Sequence, residues 1–120
     1  MQIAVTSQNR KTVTEHAGKC RKFWIYEVEQ GVVADKQLIE LPIEQSFHGN
    51  HHGLADGLAR INVLISGSMG SGLFSRLKQQ GILPIITCEE NPDQAVSDFL
   101  ANKLVSFNPD RVHTCHAHAH

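Results

Sequence analysis

Histidines crowd two places in this chain. His48, His51 and His52 fall within the five residues HGNHH, and His113, His116, His118 and His120 run with Cys115 through RVHTCHAHAH. Imidazole and thiolate are borderline-to-soft ligands for iron, copper, nickel and zinc. HGNHH can place His48 with His51 or His52 around one ion; as a loop it is equally a mobile polar segment. The tail alternates histidine with other residues and is not an unbroken run, so it does not read as an expression tag. Tracts of this kind take up divalent metal in solution whatever their function.

Two further stretches suit an anionic ligand. In EHAGKCRK, His16 and Cys20 stand four apart, with Lys19, Arg21 and Lys22 around them. Neighbouring cations lower a thiol's pKa and favour the thiolate. The plain alternative is a solvated basic loop that binds nothing. In SGSMGSG, the residues Gly67, Ser68, Met69, Gly70 and Gly72 join an apolar run to a helix start. Exposed backbone N–H groups and the helix N-terminus can hold an anion there. The stretch lacks the Lys-Ser/Thr ending of a nucleotide loop and misses the dinucleotide fingerprint. Its plain alternative is a tight turn with Ser66, Ser68 and Ser71 as caps.

Hydrolytic chemistry is poorly served. Cys20 with His16 has no third group to orient the pair. Two-metal nuclease chemistry needs several carboxylates at one end of a sheet, and neither MQIAVTS nor INVLIS carries one. Cys88 follows an apolar run and reads as a core thiol.

The elements that must position these groups follow from hydrophobic period. MQIAVTS alternates and suits a strand, Ser7–Cys20 is a polar loop, and RKFWIYEVE is aromatic and β-branched. EQG reads as a turn into the return strand VVADKQLIEL, which Pro42 ends. Ile43–Gly53 is the histidine loop. Leu54, Leu58 and Ile61 recur at helical spacing. INVLIS is a continuous apolar run, as for a strand buried on both faces. LFSRLKQQ is a helix with Leu73, Phe74 and Leu77 inward and Gly81 just past its end. ILPIIT is a fifth strand. NPDQAVSDFLANKL is a helix with Asn91 as N-cap, Pro92 at its first position and a stripe of Ala95, Val96, Phe99 and Leu100. The order β-β-β-α-β-α-β-α predicts one α/β domain over residues 1–104, a mixed five-stranded sheet with helices on its faces. Residues 105–120 read as a flexible histidine-rich tail.

Composition bounds the function. Over 120 residues, 41% are hydrophobic and 19% charged, with a formal charge of −1. That is enough chain for one core, and it provides no global field to draw nucleic acid or an anionic membrane. No segment approaches the roughly 20 apolar residues of a membrane span. MQIAVTSQ lacks the basic and apolar regions of a signal peptide. The expected compartment is the cytoplasm, where three cysteines are free thiols or metal ligands rather than a disulfide framework.

These residues carry a resemblance. Val13, His16, Gly18, Phe23, Ile25, Tyr26 and Val28 resemble the "V..H.G" loop and "F.IY.V" strand of the dinitrogenase iron–molybdenum cofactor biosynthesis family, of the NifX/NafY/NifB C-terminal type. Leu58, Val63, Ile65, Gly67, Met69, Gly70, Gly72, Leu77, Gly81, Ile82 and Pro84 are similar to its later "G.MG.G…GI.P" pattern. The resemblance covers roughly residues 1–104. It implies a ribonuclease-H-like α/β fold without nuclease activity, serving as a non-catalytic carrier of an iron- and/or molybdenum–sulfur cluster. Such clusters are anionic. His16 matches the family's loop histidine; Cys20 stands where the family often has another residue, so its ligation is a separate expectation. On this reading His16 and Cys20 ligate, and Lys19 and Arg21 supply positive field. Residues 67–72 cradle the cluster with backbone N–H groups, while His48, His51 and His52 close over it. Donor and acceptor proteins for the cluster are implied. The alternative reading is a mononuclear zinc, nickel or copper protein working through the histidine loop and the tail residues His113, Cys115, His116, His118 and His120.

Overall fold

The computed structural model describes residues 1–14, 17, 20–41, 58, 60–107 and 109. The histidine loop, the helix expected near Leu54 and the tail histidines lie outside the described residues. Five strands and two helices follow in order: β1 (Gln2–Thr6), β2 (Lys22–Glu29), β3 (Val32–Glu40), β4 (Val63–Ser66), α1 (Ser71–Gln79), β5 (Leu83–Ile86) and α2 (Pro92–Leu100). The sheet is mixed, with strand order β3-β2-β1-β4-β5. β2 runs antiparallel to β1 and β3, and β4 runs parallel to β1 and β5.

Period-2 alternation sorts the apolar residues into two cores. Ala4, Phe23, Leu64 and Ile86 face one side, with Leu77 of α1 buried among them and Leu73 and Phe74 half-buried against them. Ile3, Val5, Tyr26, Val63, Ile65 and Ile85 face the other, under Ala95 and Val96 of α2. The helices therefore cover opposite faces. The near-continuous apolar composition of β1 and β4 is what burial on both faces requires.

Local chemistry sets the boundaries. Gln30 and Gly31 both adopt positive φ, 55° and 78°, the two-residue turn whose twist matches a hairpin. α1 begins at Ser71, two residues before its apolar stripe, because Gly70 is its N-cap. It ends in a Schellman motif: Ile82 N–H donates to the Leu77 carbonyl at 2.9 Å and Gly81 N–H to the Lys78 carbonyl at 3.1 Å. Gly81 sits at φ 80°, where an L side chain is strained. In α2, Asn91 Oδ1 accepts from Gln94 N–H at 3.1 Å. At the sheet edge, β5 carries Pro84. Beyond the expected boundary at residue 104, Phe107 N–H donates to the Ile86 carbonyl at 2.9 Å, and its ring packs on the first core.

A polar clamp joins the hairpin to α2. Tyr26 Oη–H donates to Asp93 Oδ1 at 2.7 Å, and Lys36 Nζ donates to the same oxygen at 2.8 Å. The Lys36 ammonium also sits 4.3 Å from the Trp24 ring centre. The bonds from Lys36 and Tyr26 hold the Asp93 carboxyl below its ordinary value of 3.8. A depressed carboxyl contributes stability that is full above its unfolded pKa and is lost as pH falls through the folded one. Asp93→Asn is therefore expected to lower the unfolding midpoint at pH 7, with the gap from the parent closing as the pH is taken below about 4. Equilibrium denaturation across pH checks this. Gly81→Ala is expected to cost about 1 kcal/mol in the same assay, from its positive φ.

Candidate functional site

In the strand order, β1 leads away toward β2 and β4 leads away toward β5, so their connections diverge. A crevice opens between diverging connections at the carboxyl ends of strands, where open α/β sheets bind ligands. The last residues of the two strands are polar and fully buried: Thr6 and Ser66. Their hydroxyls lie 3.0 Å apart. Thr6 Oγ1–H is within donating distance of the Thr14 carbonyl at 3.1 Å, and Ser66 Oγ–H of the same carbonyl at 3.0 Å. Ser66 also reaches the Ser68 carbonyl at 3.1 Å. Buried hydroxyls must be bonded, and here their partners are the backbones of the two loops that leave the strands.

Those loops are stitched together. Thr14 N–H donates to the Thr6 carbonyl at 2.8 Å and Gly67 N–H to the Thr14 carbonyl at 2.9 Å. Ala17 N–H donates to the Ser68 carbonyl at 3.1 Å. The stretch expected to hold His16 and the glycine-rich stretch thus form one surface. His16 and Lys19 themselves lie outside the described residues, as do His48, His51 and His52. Their described neighbours Thr14 and Ala17 are bonded directly to Gly67 and Ser68.

The structure divides the glycine-rich residues. Met69 is 6% exposed and packs beside Ala17 and Cys20, anchoring the loop in the core. Gly67 and Ser68 are half-buried, and Gly70 and Gly72 are exposed. Neither Gly70 nor Gly72 has positive φ, and a Cβ at either would meet nothing within 4 Å. Backbone conformation and packing therefore do not require glycine there. Gly70, the N-cap, makes no side-chain cap bond, and the first turn of α1 holds no acidic residue.

Two cysteine expectations are corrected. Cys20 is 1% exposed, inside the first core, and its thiol donates to the Lys22 carbonyl at 3.0 Å. Burial pushes its pKa up, against the lesser lowering by backbone bonds and Lys22. A thiolate there would lose its hydration inside an apolar core, and that cost exceeds the help from nearby cations. Arg21 is half-buried, with its N–H bonded to Gln8 Oε1 at 2.9 Å. Cys88 is neither a core residue nor a free thiol: it is half-buried and disulfide-bonded. No group of three or more His, Cys, Asp or Glu able to hold a metal ion occurs among the described residues. None of the described helices is long and apolar enough to cross a membrane.

A cavity of about 450 Å³ opens beside the stitched loops, toward α2. Its walls include Thr12, Thr14, Thr87, Cys88, Glu89 and Glu90. Sequence reasoning missed it, and it also missed the buried Thr6–Ser66 pair. The available signal was a hydroxyl residue closing each of two otherwise apolar strands.

Known proteins align with this arrangement. Residues 1–102 match the family described as dinitrogenase iron-molybdenum cofactor. An uncharacterized protein of Methanocaldococcus jannaschii is 31% identical over 109 residues, spanning 89% of this chain and 92% of its own. A crystal structure from the same organism, provisionally titled a dinitrogenase, superposes with a TM-score of 0.69 at 14% identity, covering 90% and 95% of the two chains. The apo form of the orange protein from Desulfovibrio gigas superposes with a TM-score of 0.64 at 22% identity, covering 88% and 92%. The two structures share this fold, and the sequence match over residues 1–102 decides the family: the chain belongs to the dinitrogenase iron-molybdenum cofactor family.

Proposed function

We propose that this chain is a non-catalytic carrier for an anionic iron- and/or molybdenum–sulfur cluster, received where the His16 loop meets the glycine-rich loop. The observation that carries this reading is the Ala17–Ser68 bond of 3.1 Å, with the Gly67–Thr14 bond of 2.9 Å beside it. Two stretches distant in sequence, each suited to such a cargo, are joined at the carboxyl edge of the sheet. The family's description names the same class of cargo.

The chemistry of the edge supports it. Between residues 10 and 22 the chain carries Arg10, Lys11, Lys19, Arg21 and Lys22 against Glu15 alone, a field that attracts an anion. Gly70 and Gly72 leave open space above their backbone, which lets a bulky cluster approach the N–H groups of an uncapped helix start. His16 serves as ligand, Lys19 and Arg21 as field, and His48, His51 and His52 as the cover. Cys20 is buried, and we assign it packing rather than ligation. The chain's residues bind and shield; the cargo comes from a donor protein and leaves for an acceptor, in the cytoplasm. We read the sheet as the ribonuclease-H-like kind, used here as a platform.

Untagged protein prepared without air, and offered tetrathiomolybdate or a reconstituted iron–sulfur cluster, tests the reading by metal and sulfide analysis with visible absorption. His16→Ala is expected to weaken uptake roughly tenfold or more. Cys20→Ala is expected to leave uptake unchanged and to lower stability by about 1 kcal/mol through the lost packing. Equal uptake by parent and His16→Ala sinks the ligand assignment. The double variant Gly70→Ala/Gly72→Ala is expected to fold about as well as the parent, the gain inside the helix at Gly72 offsetting the poorer N-cap at Gly70, yet to take up less cluster. Undiminished uptake by that variant overturns the cradle.

A further inference from the structure

We infer that the disulfide at Cys88 is a reversible latch closed with Cys115, which ties the histidine-rich tail to the carboxyl edge of the sheet and frees it on reduction. The pairing follows by elimination. The chain has three cysteines, Cys20, Cys88 and Cys115. Cys88 is disulfide-bonded and Cys20 is a free, buried thiol, which leaves Cys115 as the partner. As a control on cargo, the latch rests on the cluster reading; the bond itself and its opening do not.

Cys88 stands on a fixed mount. Thr87 N–H donates to the Ser66 carbonyl at 2.9 Å, and Val13 N–H donates to the Glu90 carbonyl at 2.8 Å. The segment is therefore tied down on both sides of the cysteine. Phe107 delivers the partner. Its N–H donates to the Ile86 carbonyl at 2.9 Å and its ring packs on the first core. Ile86 precedes Cys88 by two residues, and Cys115 follows Phe107 by eight. Eight extended residues reach roughly 25 Å, whereas two span about 7 Å. The anchored chain thus closes the bond with slack to spare. The anchor also shortens the loop that must be closed, from Cys88–Cys115 to Phe107–Cys115, which lowers the entropic cost.

The mount lies where the cargo is received on that reading. Cys88 lines the same cavity as Thr14 and Gly67, whose backbones are bonded at 2.9 Å. His113 and His116 flank Cys115 within two residues. A closed latch therefore holds imidazoles near that edge at an effective concentration on the order of millimolar. An opened one leaves them tethered only at Phe107. The plain alternative is a structural staple, but both halves of the core are built from sheet and helix residues that do not involve Cys88. In a reducing compartment a disulfide is transient or redox-sensing rather than a staple. Opening needs a dithiol reductant. One of its thiolates attacks a sulfur of the pair, the Cys88–Cys115 bond breaks, and a mixed disulfide forms. The second thiol then displaces this chain. Two thiols remain here, and the reductant leaves as a disulfide, having supplied two electrons and two protons. Cys20, 1% exposed, is kept out of the exchange by burial.

Untagged, oxidised full-length protein tests the latch first by peptide mapping without reduction. A linked Cys88–Cys115 peptide is expected, with Cys20 unlinked. Dithiothreitol added to the native protein is expected to expose two thiols to iodoacetamide, Cys20 staying protected and the circular dichroism unchanged. Trypsin cleavage after Arg111, which lies between the anchor and Cys115, is expected to quicken severalfold on reduction. Tetrathiomolybdate loaded without reductant is expected to leave Cys88→Ser and Cys115→Ser roughly tenfold faster than the oxidised parent. A map without the linked peptide, thiols that appear only on global unfolding, or unchanged cleavage would overturn the latch. Equal release from parent and variants would overturn its control of cargo. If neither parent nor variants take up tetrathiomolybdate, the cluster reading falls, while the linked peptide and the cleavage rate still decide the latch.

Discussion

One buried contact organises the business end of this molecule: two hydroxyls, Thr6 and Ser66, meeting at 3.0 Å where β1 and β4 stop. Neither side chain is exposed, so each must find partners inside the protein, and besides each other these include the carbonyls of Thr14, Ser68 and, at 3.5 Å from Thr6, Ile65. A pair of apolar residues in their place would leave both loops to water. The hydroxyls instead draw the backbones of two sequence-distant loops onto the strand ends. The joined surface, the exposed glycines and the adjacent cavity all inherit their positions from that pairing.

The same economy separates structural sulfur from any functional sulfur. Met69 and Cys20 lie in a loop and at a loop end that look chemically suggestive in sequence, yet both are spent on packing, at 6% and 1% exposure. They fix the inner side of the surface, leaving Gly70 and Gly72 on the outer side. The Cys20 thiol therefore belongs to the inner, apolar side of this edge.

Much of the fold was legible because its signals are local or periodic. The strands declared themselves by alternation or by continuous apolar runs, α2 by Asn91 and Pro92, and the end of α1 by Gly81. The fate of Cys20 was not legible. Five basic residues within Arg10–Lys22 argue for a thiolate, whereas desolvation depends on tertiary burial, which spacing does not reveal. The cavity was invisible for a related reason: its walls come from residues near 8–14, 67 and 87–90, brought together by parallel pairing. The expected groups His16 and Lys19 lie outside the described residues, so what the structure contributes at that point is the frame on either side of them.

The outer flank of β5 has a consequence of another kind. Leu83 and Thr87 turn their N–H groups inward, to the Asn62 and Ser66 carbonyls, so the alternate positions 84 and 86 look outward. Position 84 is proline and has no N–H to give; the carbonyl of Ile86 is already taken by Phe107. A foreign strand arriving at this side would find one rung missing and the next occupied. The sheet is thereby shut against extension on the flank nearest its parallel core, while β3, with six consecutive exposed residues from Val32 to Gln37, forms the other margin of the described sheet. Strand addition beside β5 is thus blocked by the chain itself.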